Sequence, residues 1–539
     1  MKITAAALIM VAVLLLSGII YVGVRRTDKT PSLVYYTGDY VISLDPADTD
    51  DAGSMVPISN IYETLVEYSS NESSGGFSAG LATSWAVSPN GLMCNFTLRQ
   101  GVKFSNGNTF NAYDVKFSIE RVLLMDSPAT GVADILSRSV DLNSTLVQSD
   151  YELSISLNEP YSGFLATIAQ PYPLAILDRE YTLEHYSAAD KYAHDFMSSH
   201  PMGTGPYMLE SWHKGTELVL SQNPTYWGGW AGNHIEKVII REISSAKSRI
   251  EELQLGKAQI ADVPLSNLTD LEGYSGVAIR SFRSYDIEIA VMNVNHSRTS
   301  HSFMRDARIR QAFCYAFDYP YTSARIYSHH IGDLQGCIPN GIPLANESQP
   351  NKSFSYSLQI ASQILNSTGH FLDAGGHRFN GTTMTLVVQP GDSLRMAAAN
   401  SYADSLRRLG ILVVVQEGDR SILGSKGDWD MFFTSKSARY ADSDDNVMQL
   451  LVSAAQGGDM FITGIADTVI DSAAVAGSRA ITNASRISEY LRVWSESNAN
   501  PNMILIGQLD RVVAYDKTVE DLQFDPITGL TFYNMARSG

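Results

Sequence analysis

The chain is 539 residues long, 44% hydrophobic and 18% charged, and its 39 Lys and Arg against 57 Asp and Glu give a formal charge of −18. Such a length exceeds one growing core, so two or three domains are expected, and the composition excludes a fibrous or wholly disordered chain. The acidity argues against general nucleic-acid binding, and the presence of only three cysteines excludes a disulfide-stapled miniature scaffold and a four-cysteine zinc site.

Met1-Lys2 precedes an apolar run from Ile3 to Gly23, and Arg25-Arg26 follows it. As a helix this run spans about 31 Å, enough for a bilayer core of roughly 30 Å. It is longer than a usual signal core, no Ala-x-Ala site follows, and no cysteine near its end offers a lipid attachment point. An uncleaved anchor within residues 1–26, with a polar tether at 27–32, is the expectation, and a cleaved signal is the alternative. The flanking charges oppose export, because Arg25, Arg26 and Lys29 follow the run and only Lys2 precedes it. Ten Asn-x-Ser/Thr sequons between Asn71 and Asn483 favour an exported, glycosylated body.

Along the body, Leu33–Tyr36 is a short strand candidate, and Asn60–Tyr68 has helical spacing through Ile61, Leu65 and Val66 with Glu63 and Glu67 outside. Trp85–Leu98 reads as two strands around the turn Ser88-Pro89-Asn90-Gly91. Phe110–Leu124 is a helix with Asn111 as its cap and Asp114 near its positive end. Tyr151–Leu157 and Ile235–Ile243 are strands, and Ser248–Leu255 is a short helix. In the second half, Ile287–Val294, Met384–Val388, Ile411–Gln416, Trp429–Thr434 and Met503–Gln508 read as strands. Arg305–Ala316, Leu358–Leu365, Leu394–Leu409 and Ile487–Ser497 read as helices. The unit from Met384 through the Leu394 helix to Gln416 implies parallel strands. The class is α/β.

Several segments then carry a resemblance. They are Leu44-Asp45-Pro46, Ile61-Tyr62-Glu63-Thr64-Leu65-Val66, Leu81-Ala82-Thr83-Ser84-Trp85 and the stretch from Phe96 through Lys103-Phe104-Ser105-Asn106-Gly107 to Phe117-Ser118. Gly203-Thr204-Gly205-Pro206-Tyr207, Asn223-Pro224-Thr225-Tyr226-Trp227 and Asp306-Ala307-Arg308-Ile309-Arg310-Gln311-Ala312-Phe313 follow in order. In order and spacing the chain resembles the family-5 solute-binding proteins of ABC importers, the oligopeptide, dipeptide and nickel type, over nearly all residues after 32. The resemblance implies a bilobed periplasmic-binding-protein-like clamp of cluster C with a two-strand hinge. Lobe I would comprise residues 33–69, an extra subdomain at 70–185, residues 186–284 and a return segment at 505–539; lobe II would be 285–504. The hinge crossings would fall near 280 and 505. A ligand touching both lobes favours closure only by its differential affinity for the closed state.

The specificity segment departs from that family. Peptide-binding relatives often carry a Trp-x-Ala-Asp-Tyr-type sequence whose Asp pairs the peptide α-ammonium. Here Tyr440 matches the tyrosine, Arg439 stands at the Asp position, and Ser435 or Lys436 stands at the Trp position. An arginine repels an ammonium. Asp442 or Asp444 can substitute for the missing acid; alternatively Arg439 holds a carboxylate or phosphate, or pairs with Asp442, Asp444 or a surface partner. Tyr440 is either a pocket wall or packing. The exit of the first strand, Gly38-Asp39-Tyr40, would face the same cleft, with Gly38 letting ligand approach the backbone and Asp39 as an alternative cation anchor. Trp212 and Tyr285 are weaker candidates near cleft and hinge.

Cys314 and Cys337, 23 residues apart, can pair outside the cytoplasm, whereas Cys94 reads as a small buried hydrophobe. No histidine spacing indicates a metal, no cofactor is implied, and no G-x-S-x-G, H-E-x-x-H or cysteine–histidine motif supports an enzyme. The expected partners are a peptide or other small-molecule ligand, ABC importer permease subunits and a membrane through the N-terminal segment, with a monomeric soluble part and no nucleic acid. An oligosaccharide or anionic solute is the alternative ligand, and a glycoside- or peptide-cleaving enzyme the remoter one. Low lysine use, the sequons and an anchor without a lipid cysteine point to an archaeal source.

Overall fold

A computed structural model describes residues 32–48, 51–69, 76–125, 131–294, 298–424, 429–453 and 465–538. The N-terminal apolar run, Asn71, Asn295 and His296 lie outside them. Among the described residues no helix is long and apolar enough to cross a membrane.

The chain enters on β1 (Ser32–Thr37) and then α1 (Ala52–Ile61), which is capped by Asp51 accepting from the Ser54 amide. The helical spacing read over Asn60–Tyr68 is corrected here: α1 ends at Ile61, and β2 (Val66–Tyr68) pairs antiparallel with β3 (Phe77–Ala79). Ile61, Leu65 and Val66 are all buried, but by different elements, so their spacing imitates one helix. A small sheet follows in the order β4 (Ala82–Val87), β5 (Met93–Leu98), β7 (Glu152–Ser156), β6 (Thr145–Ser149). Gly91, at φ 70°, closes the β4–β5 turn. Helix α2 (Ala112–Met125) starts with a reciprocal cap: the Asn111 amide donates to Asp114 at 2.8 Å, and the Tyr113 amide donates to Asn111 Oδ1 at 2.8 Å. Strands β4, β5 and β7 and helix α2 share one core that includes Phe96, Phe104, Phe110 and Ile155.

The segments that carry the family resemblance bind one another. Asp45 takes both arms of the Arg121 guanidinium on α2, at 2.9 and 2.5 Å, with both side chains wholly buried. Glu63 accepts from Trp227 Nε1 at 2.9 and 3.0 Å, and the Arg99 guanidinium lies 3.8 Å over the Trp227 ring. Asn223 Nδ2 donates to the Gly205 carbonyl at 2.9 Å, and the Ser105 amide donates to the Gly203 carbonyl at 3.0 Å. A Cβ on Gly203 would lie 2.1 Å from the Ile61 carbonyl oxygen, so only glycine permits that packing. These motifs are a scaffold for the first half of the chain, and the glycine turn is part of it.

The strands that join β1 in the large sheet are β8 (Tyr207–His213), β9 (Glu217–Gln222), β10 (Lys237–Glu242), β11 (Ile260–Asp262), β12 (Val277–Met292), β13 (Ile331–Gly332), β14 (Thr383–Val388), β15 (Leu412–Glu417), β16 (Met431–Ser437) and β17 (Met503–Asp516). The longer helices among them are α3 (Ala246–Gln254), α4 (Ala307–Tyr315), α5 (Leu358–Ser367), α6 (Ser393–Arg408), α7 (Ser443–Leu450), α8 (Thr468–Ser478) and α9 (Asn483–Ala499). One eleven-stranded sheet runs β15-β14-β16-β12-β17-β11-β1-β10-β9-β8, with β13 added beside β17. In the first half β1 is parallel to β10 and β11; in the second β14 is parallel to β15 and β16.

Strands β12 and β17 join the halves. They pair antiparallel from Val277↔Asp516 to Val291↔Met503, with the register broken between Arg283 and Ile287. Both are longer than the sequence indicated, because Arg280, Arg283, Asp510 and Arg511 interrupt the apolar pattern of segments that are nonetheless hydrogen-bonded strand. At the break Ser284 Oγ donates to the Leu509 carbonyl at 2.9 Å, and buried Gln508 donates to the Ser284 carbonyl at 2.6 Å. Two cores flank the second half of the sheet: one holds Cys314, Phe313, Tyr402 and Phe433, the other Cys337, Ile287, Phe432 and Tyr490. The expected Cys314–Cys337 disulfide is therefore corrected: both thiols are buried and unpaired, in separate cores. Burial pushes the Cys337 thiol up to about 12. Cys94 is buried on β5, as read.

Candidate ligand-binding site

In open parallel sheets ligands gather beyond the carboxyl ends of the strands. Here two such sets converge on the break in the β12–β17 ladder. Strands β1, β10 and β11 end at Thr37, Glu242 and Asp262, while β16 ends at Ser437 opposite Asp286 of β12. The Asp262 carboxylate accepts from Tyr35 OH at 2.6 Å and lies 3.6 Å from Arg511 of β17.

Asp39 follows β1 and is half-buried. Burial raises its carboxyl above the ordinary range, against the pull of Arg511, and it accepts no hydrogen bond from the described residues. Gly38 does something other than expected. A Cβ there would lie 2.7 Å from an Arg249 guanidinium nitrogen, so the glycine makes room for Arg249 and not for ligand. Arg249 is spent on the carbonyls of Ile243, Ser244 and Asp262 at 2.5 to 3.0 Å. Tyr40 is 53% exposed. Tyr285, at the ladder break, donates to the Gly341 carbonyl at 3.2 Å, and burial pushes its hydroxyl up to about 12. Trp212 stands apart on β8, the outermost strand, with β9, β10, β1 and β11 between it and β17. Its ring packs on the lobe I core beneath Lys214, whose ammonium lies 4.6 Å from the ring centroid, so the expected place near the cleft is not where it sits.

The Arg439–Asp445 segment is committed to its own helix and to the opposite lobe. Arg439 donates from Nε to Asp445 at 2.8 Å and from its backbone amide at 2.6 Å. Asp442 caps α7, accepting from the Asp444 amide at 3.0 Å, and pairs with Arg486 of α9. Burial works to raise the Asp442 carboxyl, but Arg486 outweighs it and holds it below the ordinary range. Asp444 is pushed up by burial and by Asp442 beside it. Tyr440 is fully buried, donates to Asp444 at 3.3 Å and accepts from Tyr161 OH of the lobe I subdomain at 3.0 Å. Next to it the Ala441 amide donates to Tyr68 OH at 3.1 Å, and the Ser162 amide donates to the Ser478 carbonyl at 2.8 Å. Glu159 and Arg479 form an ion pair across the same seam. These contacts clasp the two halves just beyond the end of β16.

Sequence reasoning missed Glu67, Asp525 and Arg511. Glu67 is exposed, and Asp525 and Arg511 are half-buried. Glu67 was read on the outer face of a helix; it lies on β2, where burial raises its carboxyl and Arg99 opposes the rise. Asp525 accepts from the Ile527 and Thr528 amides at 2.8 Å each. Alternation along a strand was the available signal, hidden for Arg511 by the charged residues on both sides of the hinge. Among the described residues no His, Cys, Asp and Glu group is arranged to hold a metal. A cavity of about 40 Å³, lined by Tyr319, Leu334, Lys352 and Met503 among others, belongs wholly to the second half.

This architecture, two α/β lobes on a shared two-strand crossing, is that of a solute-binding clamp. The sequence profile of the bacterial extracellular solute-binding proteins, family 5, matches residues 76–458, and the chain belongs to that family. It is 26% identical over 406 residues to the probable D,D-dipeptide-binding periplasmic protein DdpA of Escherichia coli K12, covering 74% of this chain and 73% of that one. It is 24% identical over 518 residues to the glutathione-binding protein GsiB of Shigella flexneri, covering 93% of each. Among solved structures, NikA from Brucella suis in complex with Fe(III)-EDTA superposes with a TM-score of 0.80 at 20% identity, covering 94% of this chain and all of that one. DppA from Helicobacter pylori in complex with the peptide STSA gives 0.72 at 23%, covering 94% and 98%.

Proposed function

We propose that the protein is an extracytoplasmic receptor that closes around a peptide-like ligand and delivers it, unchanged, to the permease subunits of an ABC importer. The observation that carries this reading is the convergence of two sets of parallel-strand ends on one broken two-strand crossing, beside which Asp39 and Arg511 are only partly buried. The division into a lobe I of about 33–284 plus 505–539 and a lobe II of about 285–504 follows from that crossing. A peptide-like ligand is supported by the D,D-dipeptide and glutathione named for the curated relatives and by the STSA peptide of the DppA complex. The ammonium anchor moves to Asp39, because Arg439 repels a cation and Asp442 is held by Arg486. Tyr40 and Tyr285 flank it as apolar walls, and Tyr440 with Asp444 acts by holding the lobes together. With Arg439 tied to Asp445, the anionic-solute alternative loses the donor on which it rested. The protein acts without turnover, as a monomer tethered by its N-terminal run. Seven of the described sequon asparagines, including Asn95, Asn143 and Asn483, are exposed and open to glycosylation.

Native mass spectrometry after equilibration with an enzymatic casein hydrolysate tests the reading. One small molecule retained per chain, and released chemically unchanged on denaturation, supports it. Retention of nothing, or release of cleaved products, contradicts it.

A further inference from the structure

Four arginines stand at the strand ends that face the ladder break, and three are spent. Arg249 is satisfied by three backbone carbonyls. Arg395 is forked onto buried Glu288 at 2.7 Å twice and reaches Asp392 at 2.9 Å. Arg439 is held by Asp445. Arg511 differs. No N–H of its guanidinium has a hydrogen-bond partner among the described residues, its ion-pair contact with Asp262 is at 3.6 Å, and 42% of the side chain remains open. The nearest Asp262 oxygen, Oδ2, accepts from Tyr35 OH at 2.6 Å. The guanidinium thus keeps a planar fork of donors, a geometry suited to a carboxylate. Arg283 does not compete: it is the cross-strand neighbour of Asp510, so it lies on the other face of the ladder from Arg511.

We infer that Arg511 is the anchor for a ligand carboxylate, so that the solute is a zwitterion whose anionic group forks onto Arg511 and whose ammonium faces the unpaired carboxylate of Asp39. The acids within electrostatic reach of Arg511, namely Asp39, Asp262 and Asp286, make the site hostile to a bare anion. A ligand carrying both charges satisfies the arginine and the acids together. A neutral sugar satisfies neither, and a desolvated charge left unpaired is costly. This assignment rests on the solute-binding reading above and narrows its ligand to carboxylate-bearing compounds.

The test uses the full chain, an enzymatic casein hydrolysate, and the same hydrolysate after methyl esterification of its carboxyl groups. Native mass spectrometry measures what is retained by the wild type and by R511Q, R511K and R283Q, each checked for an unchanged circular dichroism melt. The expected result is retention of untreated compounds by wild type and R283Q, with about tenfold less from the esterified mixture. R511Q should retain about tenfold less of the untreated compounds, with R511K between, because lysine keeps the charge and loses the fork. Equal retention of free and esterified compounds by the wild type overturns the assignment without any variant. Wild-type retention by R511Q also overturns it, while leaving the receptor reading intact. Failure of the wild type to retain anything from either mixture overturns the receptor reading and the assignment together.

Discussion

Tyr161 of the lobe I subdomain donates a hydrogen bond to Tyr440 of the second lobe at 3.0 Å, and the Tyr440 hydroxyl donates in turn to Asp444 at 3.3 Å. The chain of hydroxyls crosses the seam between the lobes three residues beyond Ser437, the last residue of β16. A contact present only in the closed state raises ligand affinity by the factor by which it favours closure.

Y161F should therefore weaken ligand binding about fivefold, chiefly by faster release, which is the yield of one neutral hydrogen bond of about 1 kcal/mol. Surface plasmon resonance of retained ligand against the variant reads it. An unchanged dissociation rate would show that the seam is already open in solution.

Asp442 and Asp444 should respond unequally to neutralisation. D442N strips the buried Arg486 of its partner and should cost about 3–5 kcal/mol in urea unfolding. D444N replaces a carboxyl that burial and Asp442 already hold toward its neutral form, and should cost less than about 1 kcal/mol. Equal losses would refute the division of charge between them.

Glu63 makes stability depend on pH. Burial raises its carboxyl from 4.5 to about 8. The folded chain then keeps a proton that the unfolded chain releases, so this contribution is full below the ordinary value and is lost as pH rises toward 8. Thermal melts between pH 5 and 9 should fall more steeply for wild type than for E63Q, whose amide still accepts from Trp227. Parallel curves would contradict the assignment.

The pattern of what the sequence disclosed follows from how locally each feature is determined. The β4–β5 turn, the cap of α2 and the parallel unit around α6 were readable because turn chemistry, capping and periodicity act within a few residues. Glu63 was misplaced because its partner, Trp227, is 164 positions away. The site was less legible for the same reason. Arg439 was identified as a departure, yet its consequence depends on Asp445 and on a clasp to Tyr161, 279 residues from Tyr440. Gly38 was noticed for the wrong cause, since Arg249 beneath it cannot be seen from the first strand. Arg511 was invisible among the charges of a strand that does not look like one.

The three thiols should behave as buried and unpaired groups. Ellman's reagent should react with none in the native protein and with all three in guanidinium, and a reductant should leave the melting temperature unchanged. A melting temperature lowered by reductant would indicate the Cys314–Cys337 bond.

Hinged closure at the broken register of β12 and β17 is the claim on which the function stands, and single-molecule energy transfer reads it most directly. Dyes on cysteines introduced at exposed Leu146 in lobe I and exposed Ile360 in lobe II leave the buried native thiols unlabelled. Hinged closure predicts two interconverting distances, with added casein hydrolysate moving the population toward the shorter one. A single distance that no ligand changes would contradict it.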